Sequence, residues 1–313
     1  MKFELTEEQV GFGQSLGDLL AKADTVAAAR AWAEGDTGPG LAIWKRLADQ
    51  GVNALVVPED AGGLGGSLVD LVVAHEALGH HLAVGPWIES GAFLATALTG
   101  DAVEAVAGGA VATVALPPHV PFALDADVAD LVYAGTGDAL APAEVVEVRA
   151  SVDTTRHLAE ARPSGEAVPC ADTADAFDVA VLACAAQLVG SGERLLADSV
   201  AYAKQRRQFG REIGSYQAIK HQLADVRIAL DFARPLVLGA ALGEVPASAA
   251  KVAAADAAYL ASRVGLQVHG AIGYTREFDL GLWITRVRAL VTAWGTPAYH
   301  RGQVLAAITG AAR

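Results

Sequence analysis

Residues 204–237 read KQRRQFGREIGSYQAIKHQLADVRIALDFARPLV. The second part of this stretch carries the most regular helical pattern in the chain: Ile219, Leu223, Val226, Leu230, Ala233 and Val237 recur at alternating steps of four and three. That spacing lines them along one face of an α-helix, and such a stripe must be covered by other apolar surface, with a partner subunit as the expected source. The first part holds four cations, Lys204, Arg206, Arg207 and Arg211, within eight positions. The chain as a whole is acidic, with 23 Lys and Arg against 36 Asp and Glu and a formal charge of −13. A local reversal of charge ahead of a long helix therefore reads as an anion site, because guanidinium forks match phosphate oxygens two at a time.

Downstream, Pro246 interrupts the chain before an Ala-rich helix expected over about Ser248–His269, and a further helix runs toward the C-terminus. Upstream, Val179–Gln208 is another helical candidate. Long amphipathic helices with short connections favour an up-and-down four-helix bundle. From Val111 to Asp178 the texture changes: Thr113–Leu116, Leu131–Ala134 and Val145–Arg149 are short β-rich runs separated by Pro, Gly and Asp. In the last of them, period-two alternation puts Val146 and Val148 on one face and Glu147 and Arg149 on the other.

The N-terminal third is helical again. Thr6 and Gln9 have the spacing of a capping box, Thr25–Ala33 and Gly40–Gln50 are rich in helix formers, Gly51 is a stop, and Ser67 is placed to cap the helix after the Gly-rich segment 61–66. No Lys follows that segment and no strand–helix–strand pattern surrounds it, so it reads as a plain loop rather than a phosphate cradle. The expected fold is mainly α with a small β middle domain: an N-terminal helical domain over 1–110, a reduced β domain over 111–178 and a helical bundle over 179–313.

A length of 313 suits two domains, or three if one is small. With 53% hydrophobic but only 6% aromatic residues, the core must be built from Ala, Val and Leu, and a disordered or disulfide-stapled chain is excluded. The acidic balance excludes a general nucleic-acid binder. Cys170 and Cys184 fit no disulfide framework or CxxC motif, the chain start shows no cationic leader, and segments such as Val179–Val189 are too short to cross a bilayer. A cytoplasmic protein without membrane or nucleic-acid partners is expected. The eight histidines form no spaced ligand set, and no metal is expected.

Arg206-x-x-Phe209-Gly210 with Gln217, and Gln267-x-x-Gly270-Ala271-x-Gly273-Tyr274, stand in the last third; Thr6-Glu7-Glu8-Gln9, Val57-Pro58-Glu59 and Glu76-x-Leu78-Gly79 stand in the first. On these residues the sequence resembles the acyl-CoA dehydrogenase family of flavoproteins, over roughly the first 100 and last 130 residues. The resemblance implies that family's fold and a bound FAD. It also implies that Arg206, Phe209, Gln217, Gln267, Gly270 and Ala271 contact the ADP half of a FAD held mainly by a neighbouring subunit, with Ala271 standing where the family has Gly.

These enzymes take the α-proton of an acyl-CoA with a carboxylate while a hydride leaves the β-carbon for the flavin, so a base within reach is required. The family's Tyr-Glu-Gly-Thr loop falls on Ala293-Trp294-Gly295-Thr296, and the alternative site used by some relatives falls on Ala180-Val181. Neither position holds a carboxylate. The family's flavin-embracing β segment also has no counterpart, its place being taken by Ala115-Leu116-Pro117-Pro118-His119-Val120-Pro121. The expectation is a chain with no catalytic residue of its own: the short subunit of an α2β2 acyl-CoA dehydrogenase, similar to actinobacterial enzymes acting on steroid-derived CoA thioesters. It would share its FAD with a full-length homologous partner that binds most of the acyl-CoA. Two alternatives stay open: a self-sufficient dehydrogenase with Asp178, Glu193 or Glu277 as base, and a flavin-free scaffold. Changing Trp294 is expected to leave turnover largely intact.

Overall fold

The computed structural model describes residues 3–137 and 139–310. Helix α1 (Glu7–Lys22) starts at the anticipated capping box, in which Thr6 Oγ1 accepts from the Gln9 amide and Gln9 Oε1 accepts from the Thr6 amide. Helices α2 (Thr25–Ala33) and α3 (Gly38–Ala48) follow. The Gly-rich loop spends its amides on its own chain: Gly63, Leu64, Gly65 and Gly66 donate to carbonyls of Pro58, Ala54, Val57 and Leu55. No N–H of these four is left to cradle an anion. Helix α4 (Leu68–His80) is capped by Ser67 and Asp70. A buried π-helical turn, Glu89–Leu94, leads into α5 (Ala95–Ala97) and α6 (Asp101–Ala107).

Strands β1 (Ala112–Ala115), β2 (Ala123–Leu124), β3 (Leu131–Thr136), β4 (Ala139–Arg149) and β5 (Leu158–Pro163) form one sheet in the order β1-β3-β4-β5-β2. Only β1 and β3 run parallel. The period-two reading of Val145–Arg149 fails at a bulge between Val145 and Glu147: Val145 pairs with Ala161 and Val148 with Ala159. Because Ala159 and Ala161 share a face, the extra residue puts Val145 with Val148, and Val146 is the unpaired insertion. All three valines are exposed.

Helix α7 (Thr173–Gln205) begins six residues ahead of Val179 and packs against α4, α8, α9 and α10. A small hairpin, β6 (Arg207–Gln208) and β7 (Arg211–Glu212), joins it to α8 (Gln217–Ala241). Helices α9 (Ala247–His269), α10 (Leu280–Thr292) and α11 (Pro297–Thr309) complete the bundle. Part of α7 is long and apolar enough to cross a membrane, contrary to the length read from sequence, but 67% of that window is buried inside the protein.

Most of the apolar stripe of α8 is not a subunit face, although Ile219 and Leu223 at its start are only half-buried. Val226, Leu230, Ala233 and Val237 are at most 1% exposed, covered by α7 and α9 of the same chain. Four-and-three spacing specifies that a stripe is buried and says nothing about which chain buries it. The outward face of α8 shows Ile228 and Phe232 instead, the latter 74% exposed.

Helices α4 and α7 approach backbone to backbone. A Cβ on Gly190 would lie 2.0 Å from the Glu76 carbonyl oxygen, and one on Gly79 would lie 2.2 Å from that of Gln187. Beside this crossing, buried His75 accepts at Nδ1 from Gln187 Nε2, and burial lowers its pKa from 6.5 to about 3. Between those values the unfolded chain binds a proton that the folded ring refuses, so stability falls as pH drops through that window. Burial also lowers His300, to about 4, with the same sign. Thermal melts are expected to move down steadily from neutral pH to about 4, and a flat profile over that range would contradict the buried neutral rings.

Candidate functional site

The six residues expected to contact FAD gather at one end of the bundle. Antiparallel packing brings the C-terminus of α7, the N-terminus of α8 and the C-terminus of α9 together, as Tyr202 stacking on His269 at 4.3 Å attests. Arg206 caps α7, Phe209 sits at the hairpin tip, Gln217 opens α8, and Gln267, Gly270 and Ala271 close α9. All six are exposed, Phe209 at 92%. Arg206 has no side-chain hydrogen bond or ion pair among the described residues, whereas Arg207 lies 3.6 Å from Glu212 and Arg211 lies over the Tyr216 ring at 4.0 Å. The tip holds Phe209 at φ 52° and Gly210 at φ 83°, with nothing within 4 Å of a Cβ added to Gly210. An unpaired guanidinium, open backbone and an exposed ring suit a phosphate-bearing nucleotide that approaches from outside.

A second site lies at the other end of the bundle, where the N-terminal helices, the sheet loops and the α10–α11 junction meet. It is a cavity of about 510 Å³. One wall is apolar, with Pro118, Val120, Pro121 and Phe122 from the segment after β1. Trp294, at the position where the sequence reading places the family's base, forms another part of the lining. It is 1% exposed, held at φ 56° with its carbonyl accepting from His300 Nε2 at 2.8 Å, and packs on Phe93 and Phe177. The ring is thus a core element, and truncating it removes packing. Ala180 and Val181, where the sequence reading places the alternative base, are fully buried in α7.

The base candidates read from sequence do not reach this cavity. Glu193 is clamped by Arg227 Nη1 and Nη2 at 2.7 and 2.6 Å on the α7–α8 face, Glu277 is exposed, and Asp178 is half-buried on α7 outside the lining. Sequence reasoning missed Glu89. This carboxyl lines the cavity at 2% exposure, with Oε1 accepting from Trp294 Nε1 at 3.3 Å and Oε2 without a partner. Burial raises its pKa, against the opposing pull of Arg156 and Arg286. The available signal was a lone acid in the otherwise apolar run Trp87-Ile88-Glu89-Ser90-Gly91-Ala92-Phe93.

Below the cavity, Arg286 of α10 donates from Nε to Asp153 at 2.6 Å, from Nη2 to Thr155 Oγ1 at 2.7 Å and from Nη1 to the Ala83 carbonyl at 3.2 Å. One guanidinium thereby joins the bundle, a sheet loop and the N-terminal segment. Asp125, Asp127 and His157 stand close enough to share an ion, but His157 Nδ1 already pairs with Asp127 at 2.8 Å and its Nε2 with the Trp32 carbonyl at 3.2 Å.

A helical unit, a small sheet and a helical bundle meeting around one cavity define the architecture of the acyl-CoA dehydrogenases. The chain matches the N-terminal domain of acyl-CoA dehydrogenase over residues 6–105 and its C-terminal domain over residues 171–309. It is 36% identical over 292 residues to acyl-CoA dehydrogenase IpdE2 of Mycobacterium tuberculosis, covering 90% of this chain and 91% of that protein. To IpdE2 of Mycolicibacterium smegmatis it is 32% identical, covering 94% and 96%. Butyryl-CoA dehydrogenase from Megasphaera elsdenii has the same fold, with a TM-score of 0.85 at 20% identity over 99% of this chain and 100% of that one. A chain of the ChsE4-ChsE5 complex from Mycobacterium tuberculosis gives 0.83 at 22% identity over 100% of both. This chain belongs to the acyl-CoA dehydrogenase family.

Proposed function

We propose that this chain is the base-free subunit of a heteromeric, FAD-dependent acyl-CoA dehydrogenase in the cytoplasm. It pairs in an α2β2 assembly with a full-length homologous subunit that supplies the proton acceptor and most of the acyl-CoA site. The reaction is α,β-desaturation of a bulky, steroid-derived CoA thioester, with FAD supplying the hydride acceptor. The chain's own part is to hold the nucleotide end: Arg206 on phosphate, Phe209 and Gln217 beside it, and Gln267, Gly270 and Ala271 completing the wall.

The observation that carries this reading is a distance. From Phe177, which packs on Trp294, to the end of α7 at Gln205 the helix rises about 42 Å at 1.5 Å per residue. A single flavin dinucleotide cannot reach from the junction cavity of this chain to its own Arg206 hairpin, so the two ends serve different flavins or one of them serves none. The missing carboxylate at Trp294 and Ala180 supports the latter, as does the heteromeric nature of the ChsE4-ChsE5 complex.

One observation favours a second reading, a self-sufficient enzyme: Glu89 places a buried carboxyl in the cavity. The test is to express the chain alone and together with a full-length family member, and to measure flavin absorbance and acyl-CoA-dependent dye reduction. The pair is expected to be yellow and active and the single chain colourless and inactive; an active single chain would overturn the proposal. In the complex, Arg206→Ala is expected to weaken flavin retention about tenfold or more, the cost of one charge-assisted phosphate contact. Unchanged retention on dialysis would remove Arg206 from the site.

A further inference from the structure

The interior of the bundle holds an amine and a thiol in contact. Lys251 of α9 is 1% exposed, and lysine is rarely buried so fully without a partner. Its Nζ donates to the Leu290 carbonyl of α10 at 2.5 Å and to Cys184 Sγ of α7 at 3.0 Å. Among the described residues no carboxylate pairs with it. The Leu290 carbonyl is one of the last four of α10, the ones a helix leaves open, so capping it accounts for a buried lysine. The thiol is a second neighbour that this capping does not call for, in a stretch of α7 otherwise filled by Ala180, Ala183, Ala185 and Ala186.

The surroundings decide what oxidation of that thiol would yield. Cys184 Sγ meets three polar groups: the carbonyls of Leu290 at 3.5 Å and Ala293 at 3.9 Å, and the Lys251 nitrogen. Only the nitrogen is a nucleophile. A sulfenic acid formed at Sγ is an electrophilic sulfur, and such sulfur condenses with an adjacent thiol or nitrogen. A route for a small oxidant exists, because Ala293 lines the junction cavity and a single residue separates Sγ from that space. The balance closes with one hydrogen peroxide, counted from the neutral thiol and amine. One peroxide oxygen bonds to sulfur, which gives up two electrons, and the other leaves as water with the thiol proton. The amine lone pair then attacks sulfur, the S–N bond forms as the S–O bond breaks, and the hydroxyl leaves with one amine proton as a second water.

We propose that Cys184 and Lys251 are a modification site, which a peroxide joins through a reversible sulfenamide cross-link between α7 and α9. The bond pins the two helices at the carbonyl end of α10, next to the Ala293 and Trp294 wall of the junction cavity. The site requires neither flavin nor a partner subunit and so goes beyond the pairing reading.

The test is to treat the folded full chain, alone or in its complex, with hydrogen peroxide and to weigh its peptides after digestion with a protease that does not cut at lysine. A linked pair carrying Cys184 and Lys251, lighter than the sum of the two peptides by two hydrogens, is expected. An excess of a dithiol reductant should return both original peptides. The melting temperature of the oxidised chain should rise by about 5 °C, the scale for closing a long loop with one covalent bond, and fall back on reduction. Lys251→Arg keeps a cation for the Leu290 carbonyl but offers no free amine, so the same treatment should give no link and carry Cys184 on to the sulfinic acid. Cys184→Ala should lose both the link and the shift. Cys184 recovered as an unmodified thiol from the treated chain, or as a sulfinic acid with Lys251 unlinked, would overturn the proposal. Flavin content plays no part in these readings, so their failure would leave the pairing reading standing and its own test intact.

Discussion

Asp153→Ala is expected to lower stability by about 3–5 kcal/mol, the range for removing one partner of a buried ion pair. Asp153 is 1% exposed and Arg286 3%. Burial alone would raise the Asp153 pKa, but Arg286, the Thr155 hydroxyl and Arg156 outweigh it and hold the carboxyl below its usual range. Removing the carboxylate strands a guanidinium in the interior where bundle, sheet loop and Ala83 converge. Thr155 then loses its acceptor as well. The check is a chemical denaturation midpoint for the variant against the unmodified chain, with Asp153→Asn as the gentler comparison. A shift of less than about 1 kcal/mol would show that the pair does not lock the three parts together.

Gly190→Val is expected to be as damaging for a different reason. Even the first added carbon would sit 2.0 Å from the backbone carbonyl of Glu76, and backbone cannot swing aside as a long side chain can. Helices α4 and α7 would have to separate, opening the His75–Gln187 contact and the packing around it. A loss of about 3 kcal/mol or more is expected, visible as a lowered melting temperature and as increased hydrogen exchange along α4. Gly302→Ala is the control on α11, where an added Cβ meets nothing within 4 Å and little change is expected.

Much of the fold is legible in the sequence where local signals decide it. The Thr6–Gln9 capping box, the extent of α2 over Thr25–Ala33 and the Ser67 cap follow from side chains that satisfy nearby backbone groups. Where the outcome depends on distant residues, the pattern misleads. The α8 stripe predicts burial correctly but not its source, since α7 and α9 of the same chain supply the cover. The bulge at Val146 is invisible to period-two counting because it is set by the pairing register with β5. For the site, the six residues expected to contact FAD come together at one end of the bundle. For Glu89 the only signal was a lone acid in an apolar run, which has no periodic signature, and only the folding of three segments around it makes it part of a cavity.

We propose that this chain grips the nucleotide end of a flavin whose reactive ring lies against another polypeptide. The most direct measurement is the amount of FAD released from the purified complex with a full-length family member, divided by the number of chains. One FAD for each pair of unlike chains is the predicted result. Two FAD for each pair would mean that this chain encloses a flavin of its own, and would contradict the account.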